Sequence, residues 1–150
     1  MSGALAETQL IGGHFPVLTA LVVVPAIGSV IIAIITKRRP EFVKLTAVLF
    51  TVFTAAISVW MLASFKSGEA GFQFTTKHTW ISSWGISWHL GVDGISLFLV
   101  VLTALIFPLA IIGVNPHHDE KPYLAWMLML EAGVLGSFLS LDLFVFFVFF

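Results

Sequence analysis

The chain has 150 residues, of which 59% are hydrophobic and 10% are charged, and its mean hydropathy is +1.05. Soluble domains carry about 25% charged residues, so this chain cannot cover a globular surface with polar groups and is expected to lie in a lipid bilayer. Its net charge of −1 provides no basic surface for nucleic acid, and the lack of cysteine excludes disulfides, thiolate chemistry and cysteine-bound zinc or iron–sulfur clusters.

Four apolar runs are each long enough to cross a bilayer once as a helix, because about 20 residues span its hydrocarbon core. We therefore predict an all-α membrane protein with transmembrane helices at 15–36, 43–65, 94–114 and 122–140, followed by a truncated fifth helix at 142–150. Pro25 and Pro108 lie inside the first and third helices, where each removes one backbone hydrogen bond. We interpret both as packing kinks rather than gating hinges, because proline is common in membrane helices.

The last apolar run is short and rich in phenylalanine. Residues 143–150 include five phenylalanines, and eight residues are too few to span a bilayer. We therefore expect the sequence to be the leading portion of a longer polytopic protein.

Basic residues predict the orientation of the helices. Residues 37–44 hold four of the seven Lys and Arg residues, and loops enriched in these residues stay on the cytoplasmic side. This places the N-terminus and the loop 64–93 outside, and the loop 115–121 inside.

The long outer loop has a pattern of its own. Residues 72–92 alternate apolar and more polar side chains on both sides of a Ser/Gly segment, 82–85. Alternation with a period of two predicts a β-hairpin between the second and third helices. Trp80, Trp84 and Trp88 also have the i, i+4, i+8 spacing of a helix face, which leaves a helical alternative open.

Glu131 is a carboxylate inside the apolar run 123–139. At 1.5 Å per residue it lies about 12 Å from Tyr123, near the midplane of a hydrocarbon layer about 30 Å thick. A charge at that depth costs about 2.5–3.5 kcal/mol on insertion scales. Burial disfavours the charged form, so we predict a proton-pathway role in which Glu131 takes up and releases a proton. The alternative is a carboxyl group that only makes a structural hydrogen bond.

Small residues mark one face of the same helix. At 100° per residue this face contains Ala132, Gly133, Gly136, Ser137 and Ser140. Small side chains let helix backbones approach closely. Glu131 lies almost opposite, so we expect it to face a different helix, a partner chain or a water-filled cavity.

Asp142 is the second proton-pathway candidate, because it precedes the phenylalanine-rich run at the predicted outer surface. A carboxylate there could take up or release protons. The alternative, which we favour, is an N-cap that accepts backbone N–H groups of the fifth helix.

Gly91, Asp93 and Gly94 join the hairpin to the third helix. Asp93 or Gly94 can cap that helix, and the glycines permit a sharp turn, so we predict a structural start of the helix here. The spacing of a phosphate-binding loop is absent.

Two adjacent histidines, His117 and His118, precede Asp119 and Glu120 in a short inner loop. Imidazole and carboxylate groups bind metals, but adjacent ligands on one short loop rarely suffice. We predict a solvated loop and no metal site.

Two segments resemble a known family. Residues from Trp80 are W-I-S-S-W-G-I-S-W-H-L-G-V-D-G-I-S-L, and residues from Leu130 are L-E-A-G-V-L-G-S-F-L-S-L-D-L-F-V-F-F-V-F-F. Both resemble the antiporter-like membrane subunits of respiratory complex I (NADH:quinone oxidoreductase), and the M-type subunits, the counterparts of mitochondrial subunit 4, most of all.

The resemblance implies a proton-translocating membrane-arm subunit with two inverted helix units, driven by electron transfer that occurs in other subunits. FMN and iron–sulfur clusters would belong to those partner subunits, and this chain would hold no cofactor and not bind NADH. In the family, the principal glutamate directly follows the phenylalanine-rich run, so it would come after Phe150. Glu131 does not match it, and the resemblance leaves the role of Glu131 open.

An alternative is a subunit of a multisubunit cation/proton antiporter, since such proteins share the G-V-D-G-I-S segment and the phenylalanine-rich helix. The W-H-L context and the basic residues Lys37, Arg38 and Arg39 favour complex I. The expected partners are other membrane-arm subunits and the lipid bilayer. The expected location is the bacterial plasma membrane, because no Arg/Ser-rich transit segment follows Met1.

Overall fold

A computed structural model describes residues 16–34, 40–66, 68, 71–81, 85–114 and 120–150. These residues form five helices and a two-stranded sheet, in the order α1 (Val17–Ile34), α2 (Pro40–Ser64), β1 (Gln73–Ile81), β2 (Ile86–Val92), α3 (Gly94–Gly113), α4 (Glu120–Leu139) and α5 (Leu143–Phe149). The helices α1 to α4 are long and apolar enough to cross a membrane. The predicted architecture of four transmembrane helices, the start of a fifth and a hairpin between the second and third is confirmed.

The four long helices pack around a central pair, α2 and α4. Both α1 and α3 contact α2 as well as α4, whereas contact between α1 and α3 is marginal within the described residues. The two outer helices therefore lie on opposite sides of the α2–α4 pair. Among the helices, α5 packs mainly against α4.

Two separate apolar clusters fill the bundle, one toward each end. We call the hairpin end of the bundle its outer end and the opposite end its inner end. The outer cluster lies beneath the hairpin and joins α1, α2, α3, α4 and α5 through Leu18, Met61, Leu97, Leu135 and Val145, among others. The inner cluster consists of Ile32, Val43, Ala47, Ile111, Leu124 and Leu128. On every long helix about two to four turns separate the two clusters, so a distinct middle layer lies between them.

β1 and β2 pair antiparallel, which confirms the predicted hairpin and shows that the helical alternative for the tryptophans was wrong. The register shifts between Gln73 and Thr76, and Phe74 has a φ of +56° there. A non-glycine residue with positive φ is uncommon, and here it marks a β-bulge that bends the strand.

The hairpin covers the outer ends of the bundle. Trp88 donates a hydrogen bond from Nε1 to Thr19 Oγ1 of α1 at 3.3 Å, and its ring packs edge-on against Phe149 of α5, with centroids 5.7 Å apart. The Leu141 N–H donates to the His89 carbonyl at 2.9 Å. The hairpin is thus attached to the first and last helices and to the α4–α5 junction.

Candidate proton site inside the helix bundle

Glu131 is fully buried, with no exposed surface. It lies on α4 between Leu128 of the inner cluster and Leu135 of the outer cluster. Neither carboxyl oxygen has a hydrogen-bonding partner among the described protein groups. A buried polar group without a partner costs about 1–3 kcal/mol, and more when charged, so this position is unfavourable for stability and points to a role beyond packing.

The side of α4 that carries Glu131 follows from its neighbours. A Cβ placed on Gly136 would lie 2.5 Å from the Phe149 ring, so the small-residue face packs against α5. Ser29 of α1 donates to the Ala125 carbonyl at 2.7 Å, which places α1 on an adjacent face. Glu131 is turned away from both contacts at 100° per residue. Leu128, one turn before Glu131 on the buried face of α4, lies close to Gly28 of α1, and α2 and α3 also pack against α4, so the long helices together enclose Glu131.

α2 presents hydroxyl groups to the bundle interior at the same level. Thr51, Thr54 and Ser58 have no exposed surface, and together with Glu131 they are the buried polar side chains of the described residues. Their spacing of i, i+3 and i+7 puts them along one stripe of α2. We call these four residues the buried polar layer.

Each hydroxyl of the layer donates to a carbonyl of its own helix. Thr54 donates to the Phe50 carbonyl at 3.0 Å, and Ser58 donates to the Ala55 carbonyl at 2.8 Å. Thr51 donates to the carbonyl of Ala47 or Val48, each at 3.1 Å. A hydroxyl oxygen that donates its proton can still accept hydrogen bonds. The stripe therefore offers acceptors to the bundle interior.

Sequence reasoning missed this stripe. The signal was present as hydroxyl residues at helical spacing in the apolar run of α2. Threonine and serine are common in membrane helices, where they can bond to their own backbone, so the spacing alone did not show which way the stripe faced.

Asp142 occupies the N-cap of α5, as one of the two interpretations predicted. Its Oδ1 accepts the Phe144 N–H at 2.9 Å, and its Oδ2 accepts the N–H and the hydroxyl of Ser87 at 3.3 and 3.4 Å. The hydrogen bond from the Phe144 N–H, followed by that from Ser87, lowers the pKa of Asp142 below its usual value. Asp142 is therefore ionised at neutral pH and ties β2 to α5.

Asp93 caps α3 through a reciprocal pair of hydrogen bonds. Its Oδ1 accepts the Ser96 N–H at 2.7 Å, and Ser96 Oγ accepts the Asp93 N–H at 3.0 Å. Hydrogen bonds from Ser96 lower the pKa of Asp93, so the cap is charged at neutral pH. The arrangement is a capping box, in which two unpaired N–H groups at the helix start are satisfied.

Gly91 and Gly94 differ in what they contribute. A Cβ on Gly91 would lie 2.5 Å from Leu141 Cδ1, so the missing side chain lets β2 approach the α4–α5 junction. A Cβ on Gly94 would meet nothing within 4 Å. Neither has a positive φ, and the turn into α3 is made by the extended backbone of Asp93.

The described part of the chain contains no cluster of three or more His, Cys, Asp or Glu residues that could hold a metal ion. His117, His118 and Asp119 lie outside the described residues, and Glu120 begins α4. Glu131 and Asp142 are not brought together, since one lies in the middle layer and the other caps α5 next to Ser87.

Comparison with known proteins identifies clear relatives, although no family model matches the chain. NADH-quinone oxidoreductase subunit M of Mycobacterium tuberculosis is 31% identical over 91% of this chain. The protein of the same name from Rickettsia conorii is 31% identical over 91% of the chain, and NADH-ubiquinone oxidoreductase chain 4 of Marchantia polymorpha is 30% identical over 95%.

The chain spans only about 30% of the length of these relatives. The similarity therefore concerns one part of a longer protein, although it includes nearly all of the present sequence. It agrees with the resemblance drawn from the Trp80 and Leu130 segments. Over about nine tenths of its length, the chain is homologous to a part of NADH-quinone oxidoreductase subunit M and of its mitochondrial counterpart, chain 4.

Proposed function

We propose that this chain forms part of a membrane-arm subunit of NADH:quinone oxidoreductase, and that the subunit moves protons outward while electron transfer takes place in partner subunits. The names of its homologues support the assignment to the complex. The four apolar helices support a multi-pass membrane location. FMN and iron–sulfur clusters then belong to partner subunits, and the described residues offer no metal cluster of their own.

We further propose that Glu131 carries a proton during this process. The observation that supports this role is the fully buried carboxyl group whose two oxygens have no protein partner in the described part of the chain. A carboxyl group held inside a membrane bundle can be neutral or charged, and the balance responds to nearby charge and water. Remote electron transfer can then change its protonation through conformational and electrostatic change.

Asp142 fits this scheme less well. Its lowered pKa and its hydrogen bonds to Phe144 and Ser87 keep it ionised at neutral pH. A proton carrier must change protonation during the cycle, so we assign Asp142 to the attachment of the hairpin and α5 rather than to the proton pathway.

The substitution Glu131→Gln tests the proposed role, because glutamine keeps the size of the side chain but cannot release a proton. We expect proton pumping by the intact complex in sealed vesicles to fall more than NADH oxidation does. Glu120→Gln is the matched control, since Glu120 lies on the same helix but in its half-buried first turn. An unchanged ratio of protons pumped to NADH oxidised in Glu131→Gln would refute the role of Glu131.

Co-purification tests the assignment to the complex. The full-length protein, extracted from its own membrane in mild detergent, should carry iron–sulfur-containing partner subunits with it. A complex without iron–sulfur or flavin absorbance, but with cation/proton exchange activity, would support a multisubunit antiporter instead.

A further inference from the structure

We propose that the middle of the bundle contains a water-binding site, in which bound water links the carboxyl group of Glu131 to the hydroxyl of Thr54 and the backbone carbonyl of Ala104. This proposal deepens the proposed function, because it rests on Glu131 as a proton carrier and assigns the groups that hold and exchange its proton.

The carboxyl group of Glu131 lacks hydrogen-bonding partners within the described part of the chain. Glu131 is completely buried, and its oxygens receive no hydrogen bond from the described protein groups. Buried water commonly satisfies such groups where two to four polar atoms surround it.

Thr54 lies at about the same depth in the bundle as Glu131. At 1.5 Å per residue, Glu131 lies about 12 Å from the outer end of α4 at Leu139, and Thr54 lies about 15 Å from the outer end of α2 at Ser64. The depths of Thr54 and Glu131 match, because Gly28 of α1 lies close to both Phe50 of α2 and Leu128 of α4, and Thr54 and Glu131 are four and three residues further toward the hairpin end. α2 contacts α4 directly, and Thr54 is fully buried on its interior stripe. Its oxygen can accept a hydrogen bond, because its proton is already donated to the Phe50 carbonyl.

α3 provides a backbone carbonyl that has no helical hydrogen-bond donor. Pro108 lies inside α3 and has no N–H, so it leaves the carbonyl of Ala104 without its helical donor. Ala104 is completely buried, and it lies about 15 Å from the outer end of α3 at Gly94. α3 packs against α4. Pro108 therefore leaves a carbonyl acceptor at about the depth of Glu131 and Thr54.

These groups together have the chemistry of a water site. They comprise two carboxyl oxygens, one hydroxyl oxygen and one carbonyl oxygen, and they sit between two apolar clusters. Water can donate to the hydroxyl and carbonyl while it accepts from a protonated carboxyl group. The layer thus offers Glu131 a proton acceptor without a second titratable side chain among the described buried residues.

The test is infrared spectroscopy of the intact complex, with the C=O stretching band of the protonated Glu131 carboxyl group assigned by its loss in Glu131→Gln. A hydrogen bond to a carboxyl group lowers this frequency. We expect the band to shift in D2O, because a hydrated carboxyl group exchanges its proton. We expect it to move to higher frequency in Thr54→Val, and also in Pro108→Ala, which restores an N–H to pair with the Ala104 carbonyl.

Matched controls separate this effect from general packing changes. Thr46→Val removes a half-exposed hydroxyl of α2 that bonds only to the Phe42 carbonyl. Pro25→Ala restores an N–H on α1, opposite the carbonyl of Leu21 in the outer cluster. Both should leave the Glu131 band in place. Three results would each overturn the water site. The controls could shift the band as much as Thr54→Val and Pro108→Ala do, those two variants could leave it in place, or the complex could show no protonated band and no response to D2O.

The pumping and infrared experiments distinguish failure of the water site from failure of the proton-carrier role of Glu131. If Glu131→Gln pumps normally but the infrared shifts occur, the water site exists and the proton-carrier role is wrong. If Glu131→Gln abolishes pumping but the infrared shifts are absent, Glu131 carries a proton by a route that does not use Thr54 or the Ala104 carbonyl.

Discussion

Two carboxyl groups on neighbouring helices, Glu131 and Asp142, are held in opposite ways. Asp142 accepts three hydrogen bonds to its side chain beside the hairpin, whereas Glu131 has none from described groups inside the bundle. Hydrogen bonds to a carboxylate favour its charged form, and burial without them disfavours it. A carboxyl group therefore serves structure at Asp142, and we propose that the carboxyl group of Glu131 exchanges a proton.

The first prediction concerns Asp142→Ala, which removes the acceptors for both Phe144 and Ser87. We expect faster hydrogen–deuterium exchange of the backbone amides of β2 and of the first turn of α5, because both lose hydrogen bonds. Mass spectrometry of peptides from these segments measures the change. Asp93→Ala is the control. It should cost about 1 kcal/mol of stability at the start of α3, as loss of an N-cap does, but should not increase exchange in α5.

The pH dependence of this contact follows from the direction of the pKa shift. The pKa of Asp142 is lower in the folded chain than in the unfolded chain. Its stabilising contribution is therefore complete above the unfolded value of about 4 and is lost as the pH falls through the folded value. Exchange in β2 should be independent of Asp142 protonation from neutral pH down to about 5, and loosening of the contact at pH 6 would contradict this assignment.

Close helix contacts depend on glycine at two positions of the bundle. A Cβ on Gly28 of α1 would lie 2.6 Å from Leu128 Cδ2 and 2.7 Å from Phe50 Cγ. Gly28 thus brings α1 against α2 and α4 at the inner edge of the buried polar layer. Gly136 plays the same part between α4 and Phe149 of α5.

The second prediction is that Gly28→Ala lowers the thermal stability of the purified protein. Overpacking of a well-filled interior typically costs about 1–3 kcal/mol, and both Phe50 and Leu128 must shift. The control is Gly113→Ala at the end of α3, where a Cβ meets nothing within 4 Å. That variant should keep or slightly raise the melting temperature, since alanine favours helix over glycine. A Gly28→Ala protein as stable as Gly113→Ala would show that the contact is not tight.

At the scale of the elements, the sequence predicted each helix and strand but not which of them pack against one another. Hydropathy and the alternation of apolar and polar residues are local properties, so the spans and the hairpin followed from them. The packing of α2 against α4 could not be predicted in this way, because Thr54 and Glu131 are far apart in the chain and nothing in the local pattern relates them. The contact between Ser87 and Asp142 spans 55 residues and was equally hidden.

The whole molecule has a defined asymmetry across the bilayer. The hairpin covers the ends of α1, α3, α4 and α5 that lie at one side, and the start of α2, with Lys44, lies at the opposite side. Lys44 donates to the carbonyls of Ile112 and Val114, each at 3.4 Å, and so binds the last turn of α3 at that side. We propose that the hairpin faces outward and the basic segment 37–44 faces the cytoplasm, because positive loops are retained inside.

The third prediction tests this orientation with single cysteines, for which the natural chain is suited because it contains none. Lys66→Cys and Glu41→Cys form a matched pair, because both residues are exposed and lie near opposite ends of α2. In sealed right-side-out membranes, a membrane-impermeant maleimide should label Lys66→Cys only. Glu41→Cys should react after permeabilisation, and labelling with the reverse pattern would invert the assigned topology.

The sequence by itself determined the membrane class, the number of spanning helices, the hairpin and the presence of one carboxyl group at mid-membrane depth. Each follows from hydropathy, residue period or charge along the chain, which are one-dimensional quantities. Only the tertiary structure decided that Glu131 is enclosed by the chain's own helices, that the hydroxyl stripe of α2 lies at its level, and that Asp142 is bound to the hairpin. The physical reason is that burial and hydrogen bonding depend on which helix faces pair, and pairing is set by packing among distant residues.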